Sequence, residues 1–176
     1  MNSRALIAIL ALFCVESTHA ALIDGEFFSL EVASDWTIPT RKHSVMFAQG
    51  GRVIDGEPIP SLVIQSCVRD ETPKSMDAEP CRQPCSEKSL DFLFGSRGVK
   101  VPPSISIAPI ETRHKEDGVV EYHTESSGQL KSGQMSAQMS LLCGRRGGIY
   151  LFLVTDEPIE RSRREFAQIL ETLKWK

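Results

Sequence analysis

Beyond the first twenty residues, four cysteines, three histidines and a handful of carboxylates are the side chains of this sequence that could do chemistry. Cys67, Cys81, Cys85 and Cys143 remain once Cys14, inside the N-terminal apolar run, is set aside. As thiolates, four cysteines could hold zinc, but no CxxC pair is present. In an exported chain an even number is expected to form two disulfides. Three pairings are open. The favoured one joins Cys67 to Cys81 and Cys85 to Cys143, and one alternative joins Cys67 to Cys143 and closes Cys81 on Cys85. A nucleophilic cysteine would need a base beside it. Only Cys143 with His123 offers that, on neighbouring expected strands, and a disulfide at Cys143 would remove the nucleophile. His43 and His114 sit in polar stretches with no HxH or HExxH spacing.

Two adjacent carboxylate pairs, Glu116-Asp117 and Asp156-Glu157, fall at expected turn and helix ends. Acid–base work needs two carboxyls in contrasting environments within one cleft, and turn formation and helix-dipole pairing explain these positions better. The glycine-rich basic stretch Gly144-Arg145-Arg146-Gly147-Gly148 suits a hairpin turn. No GxSxG, phosphate loop or calcium loop occurs. The residues predict a protein that is not an enzyme and needs no metal or cofactor.

The N-terminus speaks to compartment. Arg4 precedes an apolar run from Ala5 to Val15, too short to span a bilayer, and Ser17-Thr18-His19-Ala20 fits a signal-peptidase site. Residues 1–20 are therefore expected to be a secretory signal peptide and 21–176 one domain, periplasmic or secreted. Lipidation of Cys14 is the alternative, disfavoured by bulky Phe13 before it. A formal net charge of −3 excludes the basic excess of a nucleic-acid binder, and no second apolar segment predicts membrane insertion.

The elements that must position these residues are organised around Ile149 to Val154, six apolar residues in a row. A strand alternates its side chains between two faces, so this run predicts a central strand covered on both. Phe166, Ile169, Leu170 and Leu173 then lie at i, i+3, i+4, i+7 on one stripe of a helix opened by Pro158. Phe28, Leu30 and Val32 alternate as an early strand. Further strands are expected at His43–Ala48, Ser61–Val68, Gly118–Glu125 and Gly133–Cys143, with Met135, Ala137, Met139 and Leu141 on one face. Turns are expected at Gly50-Gly51 and Ser127-Gly128, loop at 52–59 and 69–84, and a second helix from Glu87 to Ser96.

Phe28-Ser29-Leu30-Glu31-Val32 with Asp35-Trp36, and Ile149–Val154 followed by Phe166, Ile169, Leu170, Leu173 and Trp175, resemble the Mog1/PsbP-like pattern of small exported bacterial proteins. The resemblance implies an α/β/α sandwich: a mostly antiparallel sheet covered by helices. Some proteins of this layout are immunity proteins that occlude a toxin delivered by type VI secretion. The resemblance gives no functional residue; loops on a rigid scaffold usually carry the binding residues, so a protein partner is expected to be met by the 69–84 loop and by Ser126, Ser127 and Gln129, with a solvated hairpin tip the alternative for these three. The alternative is an envelope accessory protein or small-ligand binder.

Overall fold

The computed structural model describes residues 20–38, 45–54, 57–68, 104–115, 117–130 and 133–176. Residues 1–19 of the expected leader, the expected loop at 69–84 with Cys81, Cys85 and the expected helix at 87–96 lie outside them. The described residues form ten strands and one helix in the order β1 (Ala21–Asp24), β2 (Phe28–Val32), β3 (Val45–Ile54), β4 (Glu57–Val68), β5 (Ile105–Ile107), β6 (Glu111–His114), β7 (Val120–Leu130), β8 (Gly133–Cys143), β9 (Gly147–Thr155), α1 (Ile159–Glu171) and β10 (Lys174–Trp175).

Seven strands make one antiparallel sheet, β3-β4-β9-β8-β7-β5, with β6 also on β7. The apolar run is β9, inside the sheet between β4 and β8. Ile149, Leu151 and Leu153 on one face are fully buried. They meet Leu62 and Ile64 of β4, and Phe28, Leu30 and Val32 of β2, in one core. That second layer is the small sheet β1-β2-β10 with α1 beside it. Thr172, just past the helix, ties the two together: its Oγ1 accepts from the Glu31 N–H at 2.8 Å.

The expected α/β/α sandwich is thus corrected. The described fold is mainly β, and its single described helix shares one face of the large sheet with three strands. The unbroken apolar run misled because apolar residues on both faces of a strand do not say what covers each face. On the second face Tyr150, Phe152 and Val154 are half-buried, and the first two rings stack with centroids 6.5 Å apart. Among the described residues no helix lies there.

Two turn expectations also give way to strand. Gly50-Gly51 does not reverse the chain. The β3–β4 register slips between Gln49 and Arg52, a bulge. A Cβ on Gly50 would come within 2.4 Å of the Pro60 ring, so the close cross-strand approach there requires glycine. Residues 57–60 pair only with β3, since β9 joins β4 from Ser61 onward. A proline is tolerated where one side of a strand has no ladder to supply. Ser127-Gly128 likewise continues β7 to Leu130, with β5 on one side and β8 on the other.

Candidate functional site

The core-facing surface of the large sheet changes character between β9 and β8. Cross-strand partners share a face. Leu153 lies beside Gln138, Leu151 beside Ser140, and Ile149 beside Leu142. One strand further, Gln138 lies beside Glu125, Ser140 beside His123 and Leu142 beside Glu121. β6 then adds Glu111 beside His123 and Arg113 beside Glu121. The polar residues at alternate positions of β7 and β8 therefore point inward, under α1. Met135, Ala137, Met139 and Leu141, which do share a face as expected, point to the opposite side.

Glu121, Ser140 and His123 form a hydrogen-bonded chain inside the protein. Glu121 and Ser140 are fully buried and His123 is 7% exposed. Ser140 Oγ donates to Glu121 Oε1 at 2.8 Å. Having spent its one proton there, it accepts from His123 Nδ1 at 2.9 Å. The imidazole is thereby the Nδ1–H tautomer, with Nε2 a bare acceptor. Glu121 Oε2 faces the Lys115 ammonium at 3.0 Å, and Arg113 stands 4.0 Å from Oε1.

Burial pushes the Glu121 carboxyl up, but the Ser140 hydroxyl, Lys115 and Arg113 together hold it below its ordinary value. Burial also pushes the His123 pKa down, as does the nearby Arg113 charge, against the pull of Glu121, Glu125 and Glu111. The site therefore holds a carboxylate and a neutral imidazole at neutral pH. The connectivity differs from a nucleophilic triad. There the imidazole sits between serine and acid and takes the serine proton. Here the serine sits between, its proton already committed to the carboxylate.

A cleft of about 320 Å³ opens above this chain. Its floor holds His123 and Gln138, one wall is Ala108 and Pro109, and the other is Phe166, Ala167 and Leu170 of α1. The stripe expected on α1 is what aims it here: Ser162, Phe166 and Ile169 are its buried face. Phe166 lies over the His123 ring, centroids 6.0 Å apart. Arg163 of the same helix clasps Glu125 through two guanidinium nitrogens. That clasp, helped by Gln138 and opposed by partial burial, holds the Glu125 carboxyl below its ordinary value. At the rim Arg113 pairs with Glu111 at 2.6 Å.

One atom in the cleft stands out. Gln138 is 1% exposed. Its Nε2 donates to Glu125 Oε2 at 3.4 Å, a long contact. Its Oε1 is buried with no hydrogen-bond partner. Reversing the amide would set that oxygen against a carboxylate, so the carbonyl is the group left over.

The residues singled out from sequence are distributed elsewhere. Ser126 and Ser127 lie mid-ladder, half-buried, paired with Ala137 and Ser136 of β8 and with Ile107 and Ser106 of β5. Gln129 is exposed near the end of β7 and pairs with Gln134. None of the three sits on a hairpin tip. Cys143 pairs with Val120 and so projects from the face opposite His123; the structure does not bring them together.

Cys67 lies on β4 and Cys143 on β8. Both register with Gly148, from opposite sides of β9, which separates them by roughly 9–10 Å, two strand spacings. That is too far for one disulfide between them. Cys81 and Cys85 lie outside the described residues.

The carboxylate pairs do turn and helix-end work: Asp117 Oδ1 accepts from the Val119 N–H at 3.1 Å, and Asp156 meets Arg52 at 2.7 Å. The basic glycine stretch closes a hairpin through Gly144 N–H to the Gly147 carbonyl. Among the described residues no group of three or more His, Cys, Asp or Glu side chains is placed to hold a metal ion. No described helix is long and apolar enough to cross a membrane.

Glu121, Gln138, Ser140 and Arg163 were not visible as site residues in the sequence. The available signal was the interval of two: Glu121, His123, Glu125 on one expected strand and Ser136, Gln138, Ser140 on the next.

No family model matches the chain, and no curated protein matches it. Among the solved structures similar to this chain are two of bacterial proteins. One is a Bacteroides thetaiotaomicron protein, 10% identical, with a TM-score of 0.49. The match covers 85% of this chain and 45% of that one, so this chain spans less than half of its length. The other is a Pseudomonas aeruginosa protein of unknown function, 12% identical, with a TM-score of 0.43 over 85% of this chain and 94% of that one. At these scores the likeness assigns neither family nor function, and no Mog1/PsbP-like or immunity family is shown.

Proposed function

We propose that this protein is an exported, non-catalytic binding protein that holds a small molecule in the cleft between α1 and strands β7 and β8. The sequence of residues 1–20, with Arg4, the Ala5–Val15 apolar run and Ser17-Thr18-His19-Ala20, supports export. The observation that carries the binding reading is the Gln138 carbonyl, buried in the cleft without a partner. An orphaned buried acceptor costs about 1–3 kcal/mol, and a ligand that donates to it recovers that energy. The apolar wall from Phe166, Ala167 and Leu170 would cover the ligand body, the usual division of labour in a small-molecule site.

The test is equilibrium dialysis of the purified protein against a small-molecule extract of the cell envelope, read by mass spectrometry. Ala167→Trp, at an exposed helix position on the cleft wall, fills the space. The wild type is expected to retain at least one small molecule that Ala167→Trp does not. Equal retention by both, or none by either, overturns the reading.

A second reading, a toxin-neutralising immunity protein, is supported by the exposed apolar side chains Ile107 (49%) and Ile110 (47%) along the sheet edge beside the cleft. Apolar groups on an open edge suit a protein partner. It predicts that deleting the gene causes self-intoxication, and that Ile110→Asp weakens binding to the neighbouring toxin. A deletion strain that grows normally beside its toxin-bearing siblings contradicts it.

A further inference from the structure

The cleft floor is specific about what it can receive, and this inference rests on the small-molecule reading above. The floor presents two hydrogen-bond acceptors. One is Gln138 Oε1, buried and unpartnered. The other is His123 Nε2, left bare because Ser140 commits its proton to Glu121 and thereby fixes the proton on Nδ1. The cations nearby do not reverse this pattern. Arg163 is engaged by Glu125 and Arg113 by Glu111. The Gln138 amide nitrogen is turned to Glu125, and Thr124 Oγ1 donates to the Ala108 carbonyl at 2.7 Å.

We infer that the cleft takes a ligand whose buried head carries N–H donors, a primary amide or an ammonium, on an apolar body. A carboxylate head would set its lone pairs against the Gln138 carbonyl and the bare imidazole nitrogen. It would have to turn from the floor to the N–H groups of Arg113 and Arg163 that their glutamates leave over, and so would leave the Gln138 carbonyl unsatisfied. Charge counting alone does not choose, since two arginines and two glutamates line the cleft. A donor head and an acceptor head are therefore the two cases to tell apart.

Three four-carbon probes separate the two: butyramide, butylammonium and butyrate, each titrated into the isotope-labelled protein at neutral pH and followed by NMR. Butyramide and butylammonium should shift the Gln138 side-chain amide and the His123 ring, and bind about tenfold or more tighter than butyrate, the worth of one satisfied buried acceptor. In Gln138→Met their affinity should fall by a similar factor while butyrate is unaffected. Butyrate binding in the cleft as tightly as butyramide overturns the donor-head inference and leaves the cleft reading standing. No shift at His123 or Gln138 with any probe overturns both. The wild-type comparison of the three probes decides the matter even if Gln138→Met does not fold.

Discussion

One face of one sheet is built from two kinds of residue. Over β4 and β9 it is Leu62, Ile64, Ile149, Leu151 and Leu153, all buried against β2. One strand further, over β8 and β7, it is Gln138, Ser140, Glu121 and His123, equally buried, with α1 above part of it. Leu153 and Gln138 are direct cross-strand partners, so the boundary is a single strand spacing wide. The apolar half gains stability from every methylene it removes from water, about 25 cal/mol per Å². The polar half gains little. Its hydrogen bonds roughly replace those made to water, and its unpartnered carbonyl costs energy outright. A fold indifferent to function would have continued the leucines across. The difference separates a region that holds the protein together from a region kept for what it presents.

The sharpest way to break the comparison is to damage each half. Leu151→Ala leaves a cavity in the apolar half and should cost about 2–5 kcal/mol in denaturant melts. Glu121→Gln should cost less, about 1–3 kcal/mol, because it weakens charge-assisted hydrogen bonding to Ser140 while Lys115 can turn to water. A Glu121 variant that destabilises more than Leu151→Ala would make the polar half the structural one.

Acid should act on the polar half alone. His123 and Glu121 both have depressed folded pKa values. Where the unfolded chain binds a proton more readily than the folded one, stability rises with pH. The His123 contribution is present in full above its ordinary pKa and is withdrawn as the pH falls from there toward the depressed folded value. The Glu121 contribution is withdrawn in the same direction further down, below the ordinary glutamate range. His123→Phe should flatten the first of these steps in a series of melts across mildly acidic pH, and Leu151→Ala should leave it in place. A step unchanged in His123→Phe would place its origin elsewhere.

At the small end, Arg163→Ala should leave the melting temperature nearly unchanged, since the Arg163 side chain is about half exposed and exposed pairs contribute little. It should nonetheless alter the cleft, because Glu125 loses its clasp. Chemical shifts confined to Glu125, Gln138 and His123 would fit that expectation, and shifts throughout α1 would show that the clasp holds the helix in place.

Much of the architecture was legible because burial leaves a period. Phe28, Leu30 and Val32 are buried at an interval of two, as alternation requires, and Phe166 and Ile169 face the core at helical spacing. The layering was not legible. The hydrophobic run of β9 says that both its faces avoid water, and it does not distinguish a helix from a small sheet as the cover. Gly50-Gly51 and the prolines near Ile59 carry turn chemistry, yet they serve a bulge and a one-sided strand, distinctions that exist only once neighbours are placed.

The site was hidden for a related reason. Glu121, Gln138 and Ser140 are residues that ordinarily face solvent. Alternation sorts them to one side without saying which side is inside, and only the register onto Leu153 and Leu151 sets that side inward.

The central claim is that the polar half is kept for binding and not for stability, and the folding free energy of Gln138→Met tests it most directly. Methionine matches glutamine closely in length and carries no orphaned carbonyl. The account predicts that urea unfolding gives a stability equal to the wild type or higher by up to about 1–3 kcal/mol. A loss of more than about 1 kcal/mol would mean that Gln138 supports the fold, and would contradict the account.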